Sequence, residues 1–242
     1  MSTSMTDLRP HRVAVYYAPE PHSEHARAGR QWLALPGDAS PLHDEPSPLA
    51  ALLGPEAAQA VLADPRHYGF HGTLKAPFRM KEGVALSHVL AEVEALASAT
   101  EAFDLPPLAP APLGPFLALQ PQADGPELDA MAAACVTQLH HLAAPLNDLE
   151  LAKRRRVSLS AQQEALMQRW GYPYVLQEFR FHMTLTGSLR GLAASQQAAL
   201  LRAAQQHFSG LRRWTMSALS VFVQTHIDAD FVLHAQLPLR QA

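Results

Sequence analysis

Phe70-His71-Gly72-Thr73-Leu74 and Phe181-His182-Met183-Thr184-Leu185 are the two stretches on which the reading of this chain turns. Each sets a histidine and a threonine two positions apart inside an apolar run. A strand turns successive side chains to opposite faces, so His71 and Thr73 should share one face while Phe70 and Leu74 take the other. His182 and Thr184 should repeat that arrangement. With 13 His and 9 Thr in 242 residues, a lone His-x-Thr is expected about half a time by chance. Demanding Phe before and Leu after lowers the expectation to roughly 0.003, yet the chain holds two. The competing reading is a pair of core strands in which the histidines are satisfied and threonine serves its β-propensity.

Around these motifs the order strand, helix, strand, strand occurs twice. In the first copy a strand near Tyr68–Pro77 precedes a helix near Leu86–Ser98 and strands at Phe103–Leu105 and Phe116–Gln120. In the second, a strand over Glu178–Thr186 precedes a helix near Ala193–His207 and strands at Trp214–Gln224 and Phe231–Leu237. A further strand, Arg12–Ala18, opens the chain, and helices are expected at Glu24–Leu35 and Pro55–Ala63. Pro36 to Pro48 reads as loop. The expected fold is α+β: one bilobal, pseudo-twofold domain over 1–242, with two mainly antiparallel sheets lining a central groove and helices outside. Its halves cover roughly 12–125 and 175–242, and the stretch 126–174 between them is mostly helical.

Composition narrows the function classes. The chain is 48% hydrophobic with a net charge of −3, so it can bury a core and carries no global basic field; long nucleic acid is not an expected partner. The single cysteine, Cys135, excludes an intramolecular disulfide and a Cys-rich zinc site, and suits a small buried hydrophobe. No leader-like segment or membrane-length apolar run stands out, which makes a cytoplasmic protein without a membrane role the expectation. No Gly-rich phosphate loop, metal-ligand cluster or Ser-centred nucleophile elbow is present, so neither a metal nor a cofactor is expected.

Two imidazoles on facing strands make an acid/base pair. A free imidazole titrates near 6.5, so one can be neutral while the other is protonated. Thr73 and Thr184 then offer short donors to a phosphoryl oxygen. On the alternation argument Lys75 extends the His71 face, and Arg180 and Thr186 flank His182 and Thr184. Tyr16 or Tyr17, and Tyr68, are candidates to stack on a sugar or base. The run Lys153-Arg154-Arg155-Arg156 reads either as a solvated surface or as a second anion subsite, and Trp170–Tyr174 as its lid or as a plug between lobes.

The paired motifs resemble the two-histidine phosphoesterase superfamily. Arg12–Pro19, Tyr68–Phe78, Trp170–Tyr174 and Glu178–Gly187 are similar to its branch associated with bacterial phosphonate metabolism. The resemblance implies His71 and His182 as catalytic, Thr73 and Thr184 as phosphate ligands, and metal-independent chemistry. Lys75, Arg180, Tyr16, Tyr68, Arg154, Arg155, Arg156 and Thr186 would then bind substrate. The expected activity is that of a cyclic phosphodiesterase, hydrolysing a small ribose cyclic phosphate, with a small phosphorylated compound as partner. Alternatives are a 2′,3′-cyclic phosphodiesterase of RNA ends, or a non-catalytic module that binds a sugar phosphate or nucleotide.

Overall fold

In the computed structural model, which describes residues 9–35 and 47–241, both motifs lie at the middle of one antiparallel sheet. All but the last two residues of the proline-rich loop expected at 36–48 fall outside the described residues. The chain opens with β1 (Arg12–Tyr17), then α1 (Glu24–Leu33), α2 (Pro48–Leu53), α3 (Pro55–Tyr68) and β2 (Gly72–Phe78). Next come α4 (Leu86–Ser98), β3 (Phe103–Asp104), β4 (Leu108–Leu113) and β5 (Phe116–Pro121). α5 (Pro126–Gln138), α6 (Asp148–Arg154) and α7 (Ala161–Trp170) form the helical connection. The chain finishes with β6 (Met183–Thr184), α8 (Ala194–Phe208), β7 (Thr215–Met216), β8 (Ala218–Gln224) and β9 (Val232–Pro238).

The fold is α+β with two antiparallel sheets, as expected, but the sheets are unequal. Seven strands run in the order β4-β5-β6-β2-β1-β8-β9, and β3 pairs with β7 in a separate two-stranded sheet. The large sheet consists of two ladders, β4-β5-β6 and β2-β1-β8-β9, joined where β2 meets β6 through the single pair Gly72↔Met183. That junction is the centre of the two motifs. The repeated element order is present as β2-α4-β3-β4-β5 and β6-α8-β7-β8-β9. The closing strands, alike in sequence, differ in place: β5 sits between β4 and β6, while β9 is an outer strand because β1 occupies the position beside β2.

Alternation along β1 explains how the sheet divides the molecule. Val13, Val15 and Tyr17 enter the main core, which also takes Trp32 of α1, Val89 and Val93 of α4, and Leu200 of α8. Ala14 and Tyr16 face the other way, with Phe222 and Phe231. The indole Nε1–H of buried Trp32 donates to the Leu185 carbonyl at 2.9 Å, tying α1 to the second motif. Caps fix the connection: Asn147 and Glu150 form a capping box on α6, Ser160 and Gln163 one on α7. α7 ends at Gly171, whose φ of 75° suits glycine and turns the chain toward Tyr172.

Three expectations change in detail. Tyr68 closes α3 instead of opening β2. The second motif strand is far shorter than Glu178–Thr186: a 3₁₀ turn covers Leu176–Glu178 and only Met183–Thr184 join the ladder. β4 is an extra strand that contains Pro110 and Pro112; it lies at the sheet edge and pairs only with β5, the place in a sheet where proline is tolerated.

Candidate functional site

The antiparallel pair Gly72↔Met183, carried one residue each way, sets His71 opposite Thr184 and Thr73 opposite His182. Extended by that register, the four motif residues fall at the corners of a square with the histidines on a diagonal, although the cavity lining takes only His71, Thr73 and Thr184 of the four. Diagonal neighbours in such a pair stand about 7–8 Å apart at Cα, a span that one phosphoryl group can bridge. Gly72 permits the approach. A Cβ there would lie 2.5 Å from the Phe181 ring, so a larger residue would push β2 from β6.

Both rings are held in the same way. His71 Nδ1 lies 3.0 Å from the Gly69 carbonyl and His182 Nδ1 lies 2.8 Å from the Arg180 carbonyl, each two residues back. A carbonyl only accepts, so Nδ1 carries the hydrogen in each ring and Nε2 is left for chemistry. The Thr73 hydroxyl donates to His71 Nε2 at 3.2 Å. Tyr16 stacks on His71 with centroids 3.9 Å apart and planes at 29°. Burial pushes the His71 imidazole down to about 4; the Gly69 carbonyl opposes this and nearby His182 adds to it. Burial also lowers His182, against the Arg180 carbonyl. Both shifts favour the neutral ring, and an anion between the two would favour a charge.

His71, Thr73 and Thr184 line a cavity of about 420 Å³, and His182 stands across the β2–β6 junction beside Phe116. Tyr16 and Tyr68 belong to the cavity wall, Tyr68 being stacked on Phe231. Arg154 lines it too; its guanidinium lies 5.0 Å over the Tyr172 ring, and its buried Nε has no hydrogen-bond partner among the described residues. Sequence reasoning did not single out Arg12, which it placed only at the start of the first strand. In the fold it hydrogen-bonds Gln224 through Nε at 2.7 Å and lines the cavity. Tyr172 to Tyr174 form a wall, so the aromatic segment lies at the groove.

Five candidates are elsewhere. Thr186 is fully buried, and its hydroxyl accepts from the Leu117 N–H at 3.0 Å, extending the β5–β6 pairing. Lys75 leaves the groove face because β2 bulges: Tyr16 pairs with Thr73 but Val15 with Lys75, so Leu74 is the extra residue. Arg180 is exposed and contributes its carbonyl rather than its guanidinium. Arg155 is ion-paired to Glu164 on the outer surface, and Arg156 is exposed outside the cavity wall. Only Lys153 and Arg154 of the basic run reach the groove, because α6 presents one face to it. Cys135 is buried, with its thiol pushed up to about 12 by burial, as a packing residue should be. Among the described residues no three His, Cys, Asp or Glu side chains cluster as metal ligands, and no helix is long and apolar enough to cross a membrane.

Two relatives are similar to nearly the whole chain. A protein of Janthinobacterium sp. (strain Marseille) named ribose 1,5-bisphosphate phosphokinase PhnN is 39% identical over 242 residues, 98% of this chain and 51% of its own length. One of the same name from Laribacter hongkongensis (strain HLHK9) is 36% identical over 223 residues, 92% of this chain and 50% of its own. The chain thus spans about half the length of these relatives. Their name overturns one expectation: they are named as a kinase, not a hydrolase, so the assignment as a cyclic phosphodiesterase is withdrawn. It failed because paired imidazoles serve proton transfer at phosphorus generally and do not identify the acceptor. Both relatives are named for a ribose bisphosphate. Residues 73–232 match the model of a family described as protein of unknown function (DUF1045), and the chain belongs to that family.

Proposed function

We propose that the groove binds a phosphorylated ribose, with one phosphoryl group between the His71–Thr73 and His182–Thr184 pairs, and that the two Nε2 atoms exchange protons with its oxygens as one of those oxygens takes the terminal phosphoryl group of a nucleoside triphosphate and the nucleoside diphosphate leaves. The observation that carries this reading is the matched anchoring of both rings through Nδ1, which leaves two Nε2 atoms and two hydroxyls around one junction. Arg154 and Lys153 supply local positive charge although the whole chain is acidic. An anion would raise the pKa of a neighbouring imidazole, so a bound phosphoryl group itself creates the proton donor while the second ring remains an acceptor. Thr73, released from His71 Nε2 once that ring is protonated, can donate to the ligand. The paired motifs also favour kinship with the two-histidine superfamily at the level of this groove.

The relatives are named for a ribose bisphosphate, which makes ribose 1,5-bisphosphate the first ligand to test. Isothermal titration should give saturable 1:1 binding that His71→Gln and His182→Gln each weaken about tenfold or more, the usual scale for a charge-assisted hydrogen bond. Absence of binding, or binding indifferent to both substitutions, would contradict the proposal. A second reading is a site that holds the sugar phosphate without turning it over. The lack of a Gly-rich phosphate loop in the sequence favours it, since nothing here of that type cradles a nucleotide. Phosphorus NMR of the ribose ester with a nucleoside triphosphate separates the two: new resonances that the histidine variants abolish support transfer, and unchanged resonances support holding alone.

A further inference from the structure

We infer that Lys75 and His140 form the floor of a second anion pocket, which takes the distal phosphoryl group of a ligand anchored in the groove; this rests on the groove reading above. The bulge after Thr73 turns Lys75 away from the histidines and into a separate cavity of about 360 Å³. Lys75 is only 4% exposed, and among the described residues no hydrogen bond or carboxylate reaches its ammonium, which lies 5.1 Å from the centre of the Phe78 ring. A buried cation without a counter-charge opposes folding, and such a residue is explained when a ligand provides the charge. Nothing nearby does. The Cys135 thiol is held protonated by burial, and Glu150 is already bound by Arg79 at 3.2 and 3.0 Å and by the Asn147 N–H at 2.9 Å.

A second polar group points to the same conclusion. His140 lines this cavity, and its buried Nδ1 has no hydrogen-bond partner among the described residues. Its ring meets Trp170 edge-on, with centroids 5.2 Å apart. An ammonium and an imidazole N–H together offer the donors that phosphoryl oxygens need, in a space lined by Phe78, Val136 and Met167 as well as by the Arg79–Glu150 pair and Gln168. The two cavities share Ala76, Pro77, Glu150 and Tyr172 as walls, so one ligand can reach both.

The test is Lys75→Met, which keeps the length of the side chain and removes its charge. Melting should show a fold at least as stable as the wild type, because an unpaired buried charge has gone. Affinity for ribose 1,5-bisphosphate should fall tenfold or more, while affinity for ribose 5-phosphate, anchored in the groove, changes less than twofold. An unchanged ratio of the two affinities would overturn the second pocket and leave the groove intact, whereas failure of the wild type to bind either ester would overturn the groove reading. Inorganic phosphate provides a ribose-free probe of the pocket. With the groove disabled by His71→Gln and His182→Gln together, it should still raise the melting temperature, and adding Lys75→Met should abolish that rise; no rise in the double variant, or a rise kept after Lys75→Met is added, overturns the pocket.

Discussion

His71 shows how a single side chain links stability to function. Its imidazole sits between Tyr16 and the Gly69 carbonyl, so the fold stabilises the neutral ring. The folded pKa of about 4 lies below the unfolded value of about 6.5. Between these values the unfolded chain binds more protons, so this contribution is complete above pH 6.5 and is lost as the pH falls toward 4. Urea midpoints at pH 7 and 4.5 should therefore separate more for the wild type than for His71→Gln; equal separations would show that the ring is not held neutral. At this scale much was legible, because His-x-Thr alternation places both side chains on one face whatever the surrounding fold. Tyr16 and Tyr17 could not be told apart until the sheet existed: Tyr16 stacks on His71, and Tyr17 packs against Phe181 in the core. Lys75 and Thr186 were misplaced for a related reason, since a bulge and a hydroxyl bound to a neighbouring strand both break the alternation the argument used.

Among the elements, the β2–β6 junction and helix α6 set the geometry of the groove. One residue pair joins the two ladders, so the spacing of the motifs depends on Gly72. Gly72→Ala would drive its Cβ into the Phe181 ring, and overpacking of this kind costs about 1–3 kcal/mol. Denaturant melts should register that loss, and titration should show weaker ribose-ester binding as the two imidazoles move apart. Helix α6 separates a basic run into two roles. Arg154→Met should weaken binding of ribose 1,5-bisphosphate about tenfold or more, because its side chain lines the cavity and its buried Nε has no hydrogen-bond partner among the described residues. Arg155→Ala should leave that affinity unchanged, since Arg155 is occupied by Glu164 at the surface. Titration of both variants checks the contrast. Strong amphipathic helices such as α4 and α8 were readable at nearly their true limits. β4 and β6 were not: prolines concealed the first, and the second is a two-residue ladder inside a longer extended segment whose pairing no local pattern encodes.

The whole molecule is a sheet in which each ladder borrows strands from distant parts of the chain. β5, early in sequence, pairs with β6 and carries β4 on its far side, while β8, late in sequence, pairs with β1 and carries β9 on its far side. This exchange brings residues 71–73 and 182–184 to one junction, and it explains why two short motifs over a hundred residues apart can act as a unit. Sequence patterns revealed the repeat but not the exchange, which depends on long-range strand pairing. The same limit applies to the reaction: two imidazoles name no reaction by themselves, and the relatives' name, not the motif, redirected the chemistry away from hydrolysis. The most direct test of the central claim is a double-mutant cycle on ribose 1,5-bisphosphate affinity with His71→Gln, His182→Gln and the double variant. If both rings engage one phosphoryl group, the effects should be coupled by more than about 0.5 kcal/mol; additivity within about 0.3–0.5 kcal/mol would show that the two histidines do not share a ligand group.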